Sequence, residues 1–226
     1  AEQRGAEVHA HVSEQTLENE QCAEYHGLTP TALLAESGLL SRRFTAVHGT
    51  HLSEADQKLL AAAGSSVCFC PTTERDLGDG IGPSSLLASA GVAIGLGSDS
   101  HAVIDLLEEA RAIELDERLA SRQRGIHAAS DLLAMATRNG HNLLGWDNAG
   151  TIAVGQRADL VTVSLESVRT AGTTADTAVE AVVFAASAAD VCNVVIDGSQ
   201  VVADGTHMTV DVAAELHKSI VELMEP

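Results

Sequence analysis

Short apolar runs alternate with longer amphipathic stretches through the first 120 residues of the chain. The apolar runs predict buried strands, and the amphipathic stretches predict helices that cover a sheet. This alternation is typical of βαβ units that build a parallel sheet with helices outside it. We predict strands over residues 7–12, 44–48, 66–70 and 92–97, and helices over residues 17–25, 31–36, 53–63, 83–90 and 103–119.

The spacing of these units decides between a complete barrel and part of one. The three intervals between His11 and Gly97 average about 29 residues, and a complete (β/α)8 barrel needs roughly 250 residues. Only four units fit before the pattern changes near residue 125. The sequence therefore predicts an α/β fold that contains half of a (β/α)8 barrel.

The pattern after residue 125 predicts a separate layer that is rich in strands. An Asp197-Gly198 pair between two apolar runs is typical of a tight hairpin turn. We predict a helix over residues 131–139, strands over 159–163, 179–185, 191–196 and 200–203, and a closing helix over 211–224. The predicted parts of the chain are the half-barrel (1–145), a segment of a small β-sandwich (146–208) and a C-terminal helix (209–226).

The charge of the chain narrows the classes of function. The sequence has 13 Lys and Arg against 32 Asp and Glu, for a formal net charge of −19. Binding to nucleic acid phosphates needs clustered Lys and Arg, and an anionic membrane surface repels an acidic chain. No apolar run reaches the roughly 20 residues that span a bilayer, and the first residues do not resemble a signal peptide. We therefore expect a cytoplasmic protein that acts on a small molecule, and neither nucleic acid nor membrane as a partner.

Unusual polar residues follow the predicted strands. His11 and Glu14 end the first strand, His48 ends the second and Asp99 follows the fourth. Active sites of barrel enzymes lie at the carboxyl ends of the strands, so we expect these four side chains to share one site. Two nearby histidines receive no role, because each lies two or three residues from a better candidate: His9 and His51.

The residue types in this group indicate metal-assisted hydrolysis. A neutral imidazole suits a divalent metal such as zinc, so His11 is a candidate metal ligand, and a nearby carboxylate that is not a ligand can move protons. We predict catalytic roles for Glu14, His48 and Asp99. Glu14 can move protons, Asp99 can bind the metal or hold a water beside it, and His48 can orient that water or stabilise an oxyanion.

The motifs that carry these residues resemble those of a known superfamily. His11-x-x-Glu14, Val47-His48-x-x-His51 and Gly97-Ser98-Asp99 are similar to strands five, six and eight of the amidohydrolase superfamily, in its deaminase-like branch. Residues 150–161 are similar to the segment with which the chain of that superfamily returns from the barrel to the small β-sandwich. The resemblance covers essentially the whole chain, and it implies the C-terminal half of an amidohydrolase barrel with part of the sandwich.

Within that branch, the chain most resembles the formimidoylglutamate deiminase family. The related nucleoside, guanine and triazine hydrolases usually carry a Ser-Asn pair where this chain has Thr73-Glu74. The motifs on which the resemblance rests are His9-x-His11-x-x-Glu14-Gln15, Cys70-Pro-Thr-Thr-Glu74, Leu77-Gly-Asp-Gly-Ile81 and Gly97-Ser-Asp-Ser-His101.

The resemblance implies a cofactor and an activity for the longer enzyme. It implies one zinc per full-length subunit, with iron or manganese as alternatives, held by His11, Asp99 and a His-x-His pair on a first strand that this chain lacks. The implied reaction is hydrolytic deimination of N-formimidoyl-L-glutamate to N-formyl-L-glutamate and ammonia, a step of histidine degradation. It also implies a homodimer of full-length subunits. Because ligands are missing, we expect the 226-residue chain alone to be inactive.

Two other interpretations stay open from the sequence alone. The first keeps the superfamily but makes the substrate an aminopurine, a pyrimidine or a triazine. The second is a non-catalytic half-barrel module that acts by association with another chain. Full-length residues that bind a glutamate side chain favour deimination, whereas an aromatic stacking pocket favours a nucleobase.

Overall fold

A four-stranded parallel sheet and a four-stranded antiparallel sheet organise the computed structural model, which describes residues 4–100 and 103–225. In each sheet the hydrogen-bonded neighbours follow each other in sequence. The predicted α/β half-barrel followed by a β-layer is therefore confirmed. The parallel sheet contains β1 (Val8–Val12), β2 (Phe44–His48), β3 (Ser66–Phe69) and β4 (Ala93–Leu96), and the antiparallel sheet contains β5 (Leu160–Val163), β6 (Val191–Ile196), β7 (Ser199–Ala203) and β8 (Thr206–His207).

Helices connect the parallel strands, as parallel pairing requires. None of the helices described within 4–100 and 103–225 combines the length and apolar character needed to cross a membrane. A π-helical turn, Met135–Asn139, joins α7 to α8. The helices are α1 (Thr16–His26), α2 (Pro30–Glu36), α3 (Glu54–Ala63), α4 (Pro71–Leu77), α5 (Ser84–Ser89), α6 (Leu106–Ser121), α7 (Ala129–Ala134), α8 (Gly140–Leu143), α9 (Ala178–Phe184) and α10 (Val212–Met224).

The hydrophobic core lies between the parallel sheet and these helices. Phe44 on β2 and Val67 and Phe69 on β3 are buried in it. Side chains along a strand alternate between the two faces of the sheet. On each strand, the residues that alternate with these core positions therefore point to the opposite face, which is the inside of the half-barrel. His11 lies on that inner face, because its neighbour Val12 belongs to the core.

Two buried carboxylates on α6 hold the first turns of neighbouring helices. Glu109 accepts hydrogen bonds from the backbone N–H (3.0 Å) and the hydroxyl of Thr72, at the start of α4. Glu117 accepts hydrogen bonds from the Ser84 hydroxyl (2.8 Å) and the Ser85 N–H (2.7 Å), at the start of α5. The N–H groups of a first helical turn have no partner inside the helix. These contacts satisfy them and fix α4 and α5 to α6.

The predicted strand over residues 179–185 is wrong, because Ala178–Phe184 form helix α9 instead. A 3₁₀ turn, Ala175–Thr177, leads directly into this helix. Its residue Val183 is completely buried, and the guanidinium of Arg118 lies 5.4 Å from the ring centre of Phe184. The apolar run packs against α6 and α7, and tertiary packing of this kind overrides β-propensity.

The segment over residues 70–81, which carries two of the motifs quoted above, begins as helix α4. Pro71 occupies the first helical position, which suits a residue without an N–H group. Thr73 and Glu74 therefore lie on helix α4, which the hydrogen bond between Thr72 and Glu109 of α6 holds in place. The residues after Leu77 form an irregular connection to α5.

The antiparallel sheet has the predicted hairpin and a strong ion pair beside it. Asp197 and Gly198 both have positive φ angles, 49° and 79°, as a type I′ turn requires. Before β6, the guanidinium of Arg169 donates two hydrogen bonds to the carboxylate of Asp190, at 2.7 and 2.8 Å. The predicted closing helix is present as α10, and its start is capped by Asp211.

Candidate metal centre

The ends of three parallel strands bring His11, His48 and Asp99 together. One ligand atom from each of these residues lies within 4.8 Å of the others. The Nε2 atom of His11 lies 3.8 Å from Oδ1 of Asp99, and the Nε2 atom of His48 lies 4.0 Å from Oδ2 of Asp99. The structure thus places these three predicted residues at one edge of the sheet.

The backbone conformation of His48 and Asp99 explains why their side chains lie close together. His48 and Asp99 adopt left-handed conformations, with φ angles of 68° and 43°, at the points where β2 and β4 end. Such conformations are uncommon for residues other than glycine, and they cluster at functional sites. The turn that contains Asp99 is held by Thr73, whose hydroxyl donates to the carbonyl of Ser98 (3.0 Å) and accepts from the N–H of Ser100 (3.0 Å).

The chemistry of the group fits a zinc ion. Imidazole nitrogens and a carboxylate oxygen are common zinc ligands. The side chain of His48 is 0% exposed, and its Nε2 atom is buried without a hydrogen-bond partner. A buried polar atom without a partner costs free energy, so a ligand that satisfies Nε2 stabilises the site. His11 and Asp99 remain accessible, with side chains 60% and 27% exposed.

Glu14 completes the group from the turn that follows β1. Its Oε1 atom lies 3.7 Å from Nε2 of His48. The Glu18 carboxylate holds this turn by accepting hydrogen bonds from the N–H groups of Ser13 (2.9 Å) and Glu14 (3.0 Å). Burial raises the pKa of Glu14 above its usual value, and the Asp79 carboxylate adds to this against the opposing effect of His48. A carboxyl group that holds its proton more firmly suits a role in proton transfer.

The electrostatics of His48 have opposing causes. Burial lowers the pKa of this imidazole, but the hydrogen bond with Glu74 and the charges of Glu14 and Asp99 raise it by more. The pKa of His48 therefore lies above its usual value in the protein without metal. This carboxylate-rich site stabilises positive charge, whether on the imidazole or on a bound cation.

Other histidines of the sequence lie away from the predicted metal position. The Nε2 atom of His9 lies 2.9 Å from the carbonyl oxygen of Leu143 in α8, which gives this histidine a structural contact. The Nε2 atom of His51 lies 2.7 Å from the carbonyl oxygen of Asp79, so His51 anchors the connection after α4. His101, which belongs to one of the motifs, lies outside the described residues.

Three residues at the site have no individual role predicted from the sequence: Gln15, Glu74 and Asp79. Glu74 contacts His48, and Asp79 accepts a hydrogen bond from the side-chain amide of Gln15 at 3.0 Å. The second carboxylate oxygen of Asp79 is buried without a partner. All three residues stand within the motifs quoted above, but only the packing of α4 against the strands shows which side chains they meet.

A parallel α/β sheet with histidines and an aspartate at the carboxyl ends of its strands is the arrangement of metal-dependent barrel hydrolases. The comparisons with known proteins agree with this class. The sequence model of the Amidohydrolase family matches residues 1–201, and the chain belongs to this family.

Relatives within the family differ in their named substrates. The chain is 36% identical over 208 residues to a 5-methylthioadenosine/S-adenosylhomocysteine deaminase of Desulforudis audaxviator, covering 90% of this chain and 48% of the relative. It is 33% identical over 207 residues to a formimidoylglutamate deiminase of Pseudomonas aeruginosa, covering 88% and 46%. An adenosine deaminase from Xanthomonas campestris, solved with bound zinc, matches with a TM-score of 0.92 and 29% identity, covering 98% and 51%. The chain thus spans about half the length of these relatives.

Proposed function

We propose that the protein formed with this chain is a zinc-dependent hydrolase that releases ammonia from a C=N bond, and that its substrate is N-formimidoyl-L-glutamate. The relatives named above as deaminases and a deiminase support the reaction class. The geometry supports it through a carboxylic acid with a raised pKa, Glu14, placed beside the predicted metal ligands His11 and Asp99.

The residues of the chain divide the proposed reaction between them. Zinc, when bound, supplies a Lewis acid that makes water nucleophilic at neutral pH. His48 and Asp99 hold the attacking water against the imino carbon. As the water attacks, Glu14 takes one of its protons and passes it to the nitrogen of the tetrahedral adduct. The C–N bond then breaks, and ammonia leaves and takes up the remaining hydroxyl proton as ammonium. The water oxygen becomes the carbonyl oxygen of the formyl product, so the reaction consumes one water and releases one ammonia.

The carboxylates around the site are the reason for proposing this substrate. An amidine is a cation at neutral pH, whereas an aminopurine is neutral. Glu14, Glu74 and Asp79 surround the predicted reaction position with carboxylates, and one oxygen of Asp79 has no partner. Opposite charges within about 4–6 Å favour the charged form of a bound group. The site therefore suits a cationic formimidoyl group.

A specific observation also favours a second candidate, an aminopurine nucleoside. The Desulforudis relative is a deaminase of this substrate class. Tyr25 on α1 is 85% exposed and lines an open groove together with Glu14 and Gln15, where its ring can stack on a base. The other aromatic side chains lie elsewhere: Phe44 and Phe69 in the core, Phe184 beside Arg118, and Trp146 beneath Arg157.

A paired assay separates these two functions. Ammonia release is measured from N-formimidoyl-L-glutamate and from 5′-methylthioadenosine, with zinc supplied, on a form of the protein that joins this chain to the other half of an amidohydrolase barrel. The proposal predicts turnover of the formimidoyl compound only. Turnover of the nucleoside alone assigns the second function, and turnover of neither contradicts both. If the nucleoside is turned over, Tyr25→Ala should lower that turnover, because the second function places the base on the ring of Tyr25. Turnover of the formimidoyl compound should be the same in Tyr25→Ala as in the wild type.

A further inference from the structure

The imidazole of His48 is held at one nitrogen and free at the other. Its Nδ1 atom lies 3.2 Å from Oε1 of Glu74. Its Nε2 atom has no hydrogen-bond partner, since Glu14 and Asp99 lie at 3.7 and 4.0 Å, outside hydrogen-bonding distance. The two nitrogens of this ring therefore have different surroundings.

Glu74 is itself fixed in place. It is almost completely buried near the start of α4, and its Oε1 atom accepts a hydrogen bond from the N–H group of Cys70 at 2.8 Å. The Oε1 atom that accepts the hydrogen bond of Cys70 is also the atom that faces Nδ1 of His48, so it acts as the acceptor there and Nδ1 donates. The proton of the neutral imidazole then lies on Nδ1, and Nε2 carries a lone pair.

We propose that Glu74 is a positioning residue that fixes the tautomer of His48, so that Nε2 presents a lone pair to the space between Glu14 and Asp99. Outer carboxylates commonly orient the histidines of metal sites in this way. The tautomer is a property of this chain alone, and the inference rests on the proposed function only for what the lone pair does, which is to accept a hydrogen bond from the attacking water and so hold it in place.

The neighbouring residue supports the same role for this turn of α4. Thr73 is completely buried, and its hydroxyl forms hydrogen bonds with the backbone on both sides of Asp99, at Ser98 and Ser100. The Thr73-Glu74 pair thus holds Asp99 with one side chain and His48 with the next. Since Glu109 on α6 holds Thr72, the start of α4 carries this arrangement as one fixed unit.

Nuclear magnetic resonance measures the tautomer without any assay of activity. The ring nitrogens of His48 are assigned through bonds from its backbone in the chain labelled with ¹³C and ¹⁵N, at an alkaline pH where the ring is neutral. We expect Nδ1 to show the chemical shift of a protonated nitrogen and Nε2 that of an unprotonated one. The reverse pattern overturns the proposal, and this measurement needs no variant that has to fold.

Variants at one position then test the cause. Glu74→Gln keeps an acceptor oxygen and should keep the tautomer, whereas Glu74→Leu removes it and should give a mixture or the reverse tautomer. Asp76→Leu is the matched control, because Asp76 is exposed on the same helix and carries the same charge. An unchanged tautomer in Glu74→Leu that folds like the wild type contradicts the role of Glu74.

The consequence for turnover is measured in the form that joins this chain to the rest of a barrel. Loss of an outer carboxylate typically costs about 10- to 100-fold in activity or metal affinity. We expect a loss of this size in kcat for Glu74→Leu, with KM little changed and with partial rescue in Glu74→Gln. If that form has no activity at all, the proposed function fails while the tautomer measurement still decides the role of Glu74.

Discussion

Three residues other than glycine adopt positive φ angles where strands of the parallel sheet end. They are Ser13, His48 and Asp99, with φ angles of 54°, 68° and 43°. Each such conformation costs on the order of 1–3 kcal/mol when the surrounding structure does not compensate it. Here the compensation comes from hydrogen bonds to Glu18 and Thr73. The backbone turns sharply at these residues, and the side chains of His48 and Asp99 meet as a result.

At the residue scale, Glu14 provides the most specific test of the reaction. Glu14→Gln removes the transferable proton but keeps the size of the side chain. Since Glu14 is not among the predicted ligands, we expect the variant to retain zinc and to lose about 10²- to 10⁴-fold in turnover, the range typical of general acid–base catalysis. Metal content and ammonia release are measured together on the form with a complete barrel. Unchanged turnover removes Glu14 from proton transfer.

A second residue-scale prediction concerns stability against acid. The hydrogen bonds from the Arg169 guanidinium hold the pKa of the Asp190 carboxyl well below its usual range. In the unfolded chain the carboxyl group has its ordinary pKa, near about 4. This carboxylate therefore stabilises the fold above that pH, and its contribution is lost as the pH falls through the lower pKa of the folded state.

Asp190→Asn should accordingly lower the urea midpoint at neutral pH, and the difference from the wild type should shrink as the solution is made strongly acidic. Asp176→Asn is the control, since Asp176 is exposed. A difference between Asp190→Asn and the wild type that does not depend on pH shows that the ion pair contributes no pH-dependent stability.

At the scale of elements, the strands and most helices could be predicted from the sequence because their patterns are local. The four parallel strands and the helix caps depend on apolar runs and on residues such as Ser53 and Asp56, which form the capping box of α3. Helix α9 could not be predicted, because its short apolar run suits a strand equally well and only its packing on α6 and α7 decides.

The site shows the same division between local and long-range information. His11, Glu14, His48 and Asp99 could be placed at one edge because parallel strands end at the same side of a sheet. The contact between Glu74 and His48 joins residues 26 positions apart and depends on the start of α4. The sequence does not show that residues after a strand will form a helix turned back toward the neighbouring strand.

Helix α6 supports the site through Glu109, which gives a prediction at this scale. Glu109→Ala leaves the N–H and hydroxyl groups of Thr72 without their partner, and an unsatisfied buried group costs about 1–3 kcal/mol. We expect a decrease of this size in the free energy of unfolding, measured by urea denaturation. The matched control is Glu108→Ala on the same helix, whose half-exposed ion pair with Arg75 should contribute less than about 1 kcal/mol.

At the scale of the whole molecule, the half-barrel has an open inner face. Strands β1 and β4 each have one neighbour in the part of the chain that the structure describes. Helix α10 exposes Val212, Leu216 and Ile220 along one face. Open strand edges and contiguous apolar surface favour association. The relatives are about twice as long as this chain, and the proposed activity is that of such a longer protein.

The zinc content of two forms tests the central claim most directly. Elemental analysis after dialysis is applied to this chain and to the form that joins it to the other half of a barrel, each with His11→Ala and with the control His9→Ala. We predict about one zinc per chain in the longer form, lost in His11→Ala and retained in His9→Ala, and only weak binding in the 226-residue chain because a closed site needs three or four ligands. Zinc that survives His11→Ala, or a longer form that binds none, contradicts a metal centre built on His11 and Asp99.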